Sequence, residues 1–186
     1  MFEKSKWISL KTKDRDISVL FRKEFCVDKN LKSAELNICM LGLGICTVNG
    51  KNVTDEVLTT PITRYDYRVY YNSYDVTELI EEGRNVIGIH CGNGLYVDNQ
   101  KTWQMDSASW KGVPKALAEL KITYTDGTEI LINTDSLWKT SPGGCVYNHM
   151  RQGEIYDFNL TQKGFDKKGF DDSAWMDVEL HRNLEG

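Results

Sequence analysis

The stretch Tyr124-Thr125-Asp126-Gly127-Thr128-Glu129-Ile130-Leu131-Ile132-Asn133-Thr134-Asp135 reads as two extended runs around a tight turn. Asp126-Gly127 tolerates the positive φ angles of a hairpin, and the flanking residues are rich in strand formers. Upstream, Ala118, Leu120, Ile122 and Tyr124 alternate with Glu119, Lys121 and Thr123, so one face of this strand is apolar. The same period of two sets Ala34, Leu36, Ile38 and Met40 against Glu35 and Asn37. It also sets Tyr65, Tyr67, Val69 and Tyr71 against Asp66, Arg68 and Asn72, which predicts a strand there. Asn49-Gly50, Glu82-Gly83 and Pro142-Gly143-Gly144 supply further turns. Apolar spacing of 3.6 residues persists for no more than about two turns, and its best stretch is Val76 to Glu82, capped by Asp75 or Thr77. A parallel α/β fold needs a helix between most strands. The pattern therefore predicts an all-β, antiparallel β-sandwich of jelly-roll (galactose-binding-like) type.

The chain has 186 residues, of which 40% are hydrophobic and 27% charged, enough for one substantial core. Twenty aromatic residues against three prolines point to a packed domain with large buried anchors. A net charge of −4 with no Lys/Arg cluster excludes a nucleic-acid partner. Met1 to Leu20 mixes charged and apolar residues, so the sequence predicts neither a leader peptide nor a membrane partner. The cysteines, Cys26, Cys39, Cys46, Cys91 and Cys145, are five in number and form no Cys-x-x-Cys pair. They read as reduced, mostly buried thiols, which fits a cytoplasmic location for the chain as it stands; an extracellular or periplasmic one requires a leader already removed.

Classical catalytic patterns are missing. His90, His149 and His181 lack metal-ligand spacing and have no neighbouring nucleophile motif. Gly42-Leu43-Gly44 begins like a phosphate loop, but Thr47 occupies the third glycine position and no helix pattern follows, so it reads as a strand end. More distinctive are Phe21-Arg22-Lys23-Glu24-Phe25, Leu43-Gly44 before Val48-Asn49-Gly50-Lys51, Tyr74-Asp75-Val76-Thr77, Gly92-Asn93-Gly94-Leu95-Tyr96, Leu137-Trp138-Lys139, Gly153-Glu154-Ile155-Tyr156-Asp157 and Phe170-Asp171-Asp172-Ser173-Ala174-Trp175. In this order, over almost the whole chain, they resemble the N-terminal domain of bacterial α-L-rhamnosidases of the glycoside hydrolase family 78 type.

That resemblance implies a jelly roll without catalytic residues of its own. The acid and base of such enzymes, which release terminal α-L-rhamnose, lie in a separate α/α-barrel. The implied role is carbohydrate binding or substrate recognition, with a rhamnose-containing glycan and the catalytic domain of the same polypeptide as partners. The alternative is a structural domain that packs on the barrel without binding sugar. The boundaries read as 1–163 for the sandwich and 164–186 for an exit segment or the start of a following module.

The sequence from Gly92 to Pro114 follows no period, and a loop of that length is often functional. It offers Asn93, Tyr96, Asp98, Asn99, Trp103 and Trp110. Flat aromatic faces cover the apolar side of a pyranose while carboxylates and amides take its hydroxyls. With Asn148 and Glu154 these residues form the expected sugar site. Some members of the family hold terminal L-rhamnose through calcium; calcium takes oxygen ligands, and Asp98, Asn99 and Asn148 are the candidate donors for such an ion here, although no cofactor is required. One departure stands out: Leu95 replaces the family's Trp in Gly-Trp-Tyr, so stacking falls to Trp103 or Trp110.

Overall fold

The computed structural model describes residues 1–97, 108 and 110–182. Among these residues the strands are β1 (Trp7–Ser9), β2 (Val19–Val27), β3 (Leu31–Leu41), β4 (Leu43–Val48), β5 (Lys51–Asn52), β6 (Asn72–Asp75), β7 (Gly83–Gly92), β8 (Lys115–Tyr124), β9 (Glu129–Asn133), β10 (Lys139–Pro142), β11 (Cys145–His149), β12 (Gly153–Tyr156), β13 (Met176–Asp177) and β14 (Glu179–His181). One sheet runs β14-β1-β8-β3-β6, with β9 also paired to β8; the other runs β13-β10-β2-β7-β4-β5; β11 and β12 form a separate ribbon. Every pairing is antiparallel. The expected β-sandwich is the observed architecture.

The alternation read from the sequence sets the core. Ala34, Leu36, Ile38 and Met40 of β3 and Ala116, Ala118, Leu120 and Ile122 of β8 are all buried on the inner face of the first sheet. Opposite them lie Val19, Phe21, Phe25 and Val27 of β2 with Ile87, Ile89 and Cys91 of β7. Trp138, fully buried, closes the core just before β10, and its Nε1 donates to the Asn133 carbonyl at 2.9 Å.

The β8–β9 turn is a three-residue loop in which only Gly127 needs positive φ, at 82°, and its N–H donates to the Tyr124 carbonyl. Asn49 and Gly50 are both at positive φ, 53° and 77°, as a two-residue type I′ hairpin between β4 and β5 requires.

Two local expectations need correction. Residues 65–71 form no strand: the amides of Tyr67 and Arg68 both donate to the Arg64 carbonyl, so the chain turns there, and pairing resumes only at Asn72. The physical reason is Tyr65, which is 3% exposed in a second apolar cluster, while Tyr67, its period-two neighbour, is 80% exposed. The helical stretch at Val76 shrinks to one 3-10 turn, Thr77–Leu79, with Asp75 Oδ1 accepting the Thr77 amide.

The segment beyond 163 contributes to both sheets, through β13 on β10 and β14 on β1. Arg22 fastens it. This side chain, 1% exposed, donates to the Phe165 carbonyl at 2.8 Å, pairs with Asp172 and with Glu24, and lies 5.5 Å from the centre of the Phe170 ring. Removing one partner of a buried ion pair costs roughly 3–5 kcal/mol when the survivor stays buried. Glu24 and Asp172 are each 32% exposed and regain water, so Arg22→Leu is expected to lose about 2 kcal/mol in urea unfolding. Limited proteolysis should then cut between residues 164 and 175 in the variant first.

Candidate functional site

The end of β7 turns across the corner between β3 and β4. Gly94, at φ 53°, crosses so closely that a Cβ there would lie 2.8 Å from Leu43 Cγ. Asn148 of β11 locks the crossing: its Oδ1 accepts the Asn93 amide at 2.7 Å, its carbonyl accepts Asn93 Nδ2 at 3.0 Å, and its Nδ2 donates to the Asp16 carbonyl at 2.9 Å. Two cavities that share no lining residue lie near this crossing, and sequence-nominated residues fall in each of them.

The corner cavity has a volume of about 220 Å³. Asn148 and Glu154 line it, and so do Ser18, His90 and Cys145, which sequence reasoning had not nominated. Its other wall is apolar, from Leu43, Ile45, Val57 and Leu58. Glu154 reaches it because β12 pairs with β11 in a register that sets Asn148 opposite Glu154. The Cys145 thiol lies 3.8 Å from Glu154 Oε2 and donates to the Tyr147 carbonyl at 3.2 Å. Burial, and then the nearby Glu154 charge, push that thiol up, so it stays protonated. His90 is held below its ordinary 6.5 by burial, against an opposing pull from Glu154. Ser18, 2% exposed, keeps an Oγ with no hydrogen-bond partner among the described residues. Gly143 brings Ser18 and His90 together, since a Cβ there would overlap Ser18 Oγ and stand 3.3 Å from His90 Nε2. Hydroxyl, imidazole and carboxylate thus face an apolar wall.

Tyr96 and Trp110 belong to the second cavity, about 380 Å³, on the outer face of β1 and β8. Tyr96 is 4% exposed, with its ring edge-on to Tyr65 at 5.3 Å, and serves as floor rather than as a free stacking platform. Asn93 is likewise 5% exposed, so its part is to hold the crossing through Asn148. Asp98, Asn99 and Trp103 lie outside the described residues. Among the described residues no group of three or more His, Cys, Asp or Glu side chains could hold a metal. Of the nominated calcium donors only Asn148 is described, and its side-chain oxygen already accepts the Asn93 amide.

Residues 29–185 match the family defined as the α-L-rhamnosidase N-terminal domain. The chain belongs to that family. An α-L-rhamnosidase from Formosa agariphila is 36% identical over 159 residues, covering 83% of this chain and 17% of that protein. The crystal structure of an α-L-rhamnosidase from Aspergillus terreus superposes with a TM-score of 0.90 at 32% identity, over 98% of this chain and 22% of that one. That of the Streptomyces avermitilis α-L-rhamnosidase complexed with L-rhamnose gives a TM-score of 0.83 at 30% identity, over 91% and 16%. This chain therefore spans roughly a fifth of the length of the rhamnosidases it matches.

The rhamnosidase N-terminal domain hid His90 and Ser18 from sequence reasoning because their neighbours are distant in the chain. One signal was present: Gly88, His90 and Gly92 share the outer face of β7, and glycines in a strand mark a close approach by another element. Asp166 and Asn148 are those approaching groups.

The half-buried His90 sets a pH dependence. Its folded pKa lies below the unfolded one, so the unfolded chain takes up protons first and stability falls as pH drops below about 6.5, levelling once the folded group protonates. His181 is shifted the same way by burial and Lys115, so it contributes a second share. Urea unfolding at pH 7.5 and 5.5 should show His90→Gln losing less stability on acidification than the parent, with a residual slope from His181.

Proposed function

We propose that this chain is a non-catalytic carbohydrate-recognition domain of an α-L-rhamnosidase-like hydrolase and that its corner cavity takes a terminal L-rhamnose ring. The observation that carries the reading is the pairing of polar Ser18, His90 and Glu154 with an apolar wall of Leu43, Ile45 and Leu58. A 6-deoxy sugar has both characters: hydroxyls need short polar partners, and the C5 methyl gains from removal from water, about 0.8 kcal/mol per buried carbon. The solved Streptomyces avermitilis relative, complexed with L-rhamnose, supports the choice of sugar.

Absence of catalysis rests on the same cavity. Glycoside hydrolysis uses two carboxyl groups flanking the scissile bond. Among the described residues lining the corner, Glu154 is the sole carboxylate. The parent enzyme's release of terminal α-L-rhamnose from glycans belongs, in this reading, to the remainder of such a polypeptide.

A second reading is favoured by a different surface. The β11–β12 ribbon and the 3-10 turn after it expose Ile155 at 61% and Phe158 at 81%, beside Tyr156 and Leu160. Contiguous apolar side chains of this kind suit packing against another domain. In a domain that only buttresses the barrel, this ribbon is the contact.

Calorimetric titration with L-rhamnose at millimolar concentrations, in calcium and in chelator, separates the two. Saturable heat with a dissociation constant near 1 mM, about −4 kcal/mol, is expected, weakened at least fivefold by Glu154→Gln. Saturation confined to calcium would assign the nominated oxygens to the ion. Absence of saturating heat in both buffers would leave the buttressing role. Release of nitrophenol from an aryl α-L-rhamnoside by this chain would contradict the non-catalytic reading.

A further inference from the structure

The larger cavity has a composition that rhamnose recognition does not use. Trp7, Tyr65, Tyr96 and Trp110 give it an aromatic lining. Tyr65 Oη and Trp110 Nε1 are buried and without a hydrogen-bond partner among the described residues. Leaving such a donor unsatisfied costs on the order of 1–3 kcal/mol, so two in one wall are open positions for a ligand oxygen. Burial pushes the Tyr65 phenol up to about 12, which keeps its proton in place for donation.

The rim is cationic. Lys111, Lys115 and Arg182 line the cavity, and none of the three makes an ion pair among the described residues. Lys115 is half-buried, with its ammonium 6.0 Å from the centre of the Tyr96 ring. Glu179 acts on it only through space. The one carboxylate in the lining, Asp66, is already paired with Arg64 at 2.8 Å. An ammonium drawn from water without a carboxylate partner is an unbalanced charge that an anionic ligand restores.

We infer that this cavity is a second carbohydrate subsite that takes an acidic sugar, a uronate ring lying against the half-buried Trp110 with its carboxylate toward Lys111 and Lys115. Pyranose carbons cover the aromatic lining, ring hydroxyls accept from Tyr65 Oη and Trp110 Nε1, and the carboxylate is held by charge-assisted hydrogen bonds. The glycan recognised by the domain then carries an acidic unit as well as rhamnose. The subsite shares no lining residue with the corner cavity, so its failure and that of the rhamnose reading are separable.

The test is a titration of the isotopically labelled chain with methyl β-D-glucuronide, methyl β-D-glucoside and inorganic sulfate, followed by amide and indole N–H resonances. The glucuronide should bind at least tenfold more tightly than the glucoside and shift the Trp110 indole signal. Lys115→Met, which keeps the aliphatic stem on Tyr96, combined with Lys111→Ala, should abolish the preference while leaving the amide spectrum dispersed and L-rhamnose titration unchanged. Equal affinity for the two glycosides would overturn the inference. So would sulfate reproducing the glucuronide shifts, which would mark a generic anion site, or shifts confined to the corner cavity.

Discussion

The antiparallel pairing of β3 with β8 over ten registered positions is the constraint on which the rest of this structure depends. It fixes which side chains face the second sheet and, by the same alternation, which face out. At one end the outward residues include Cys39, Leu41 and Leu117, which are apolar and buried. A strand with two apolar faces must be covered twice. The 59–71 turn brings Tyr65 and the chain after β7 brings Tyr96 to that outer face, and the aromatic cavity is the space left between these covers. The corner cavity has the same origin, since β3 hands the chain to the opposite sheet at Gly42 and the end of β7 must cross there.

The sheets were legible in the sequence because alternation reports burial on one face. It misled where burial had another cause. Tyr65 to Asn72 alternates well, yet its first tyrosine is drawn into the outer cluster and the chain turns, so period two survives without a partner strand. The Gly-Glu-Ile-Tyr-Asp motif shows a similar division. Asp157 caps a 3-10 turn through the Asn159 amide, a structural duty, while Glu154 lines the corner cavity. Nothing local distinguishes the two carboxylates; the β11–β12 register does.

The candidate site was legible only in part, for a related reason. Asn148 and Glu154 were visible as polar residues in distinctive motifs, and Tyr96 and Trp110 as aromatics in an aperiodic segment. Their division between two cavities depends on how distant strands and loops meet, which no periodicity encodes. Ser18, His90, Lys115 and Arg182 come from four separate parts of the chain and gain meaning only from the cavities they line. Buried polar atoms without partners among the described residues, Ser18 Oγ at one cavity and Tyr65 Oη with Trp110 Nε1 at the other, are the features on which the proposed recognition roles of both cavities rest.

The central claim is that the corner cavity recognises a 6-deoxy sugar, and a crystal structure of the chain grown with L-rhamnose tests it most directly. The account predicts one pyranose ring between His90 and Glu154, with its methyl group toward Ile45 and Leu58. A ring bound elsewhere on the domain, or a corner cavity filled by water alone at saturating sugar, would contradict it.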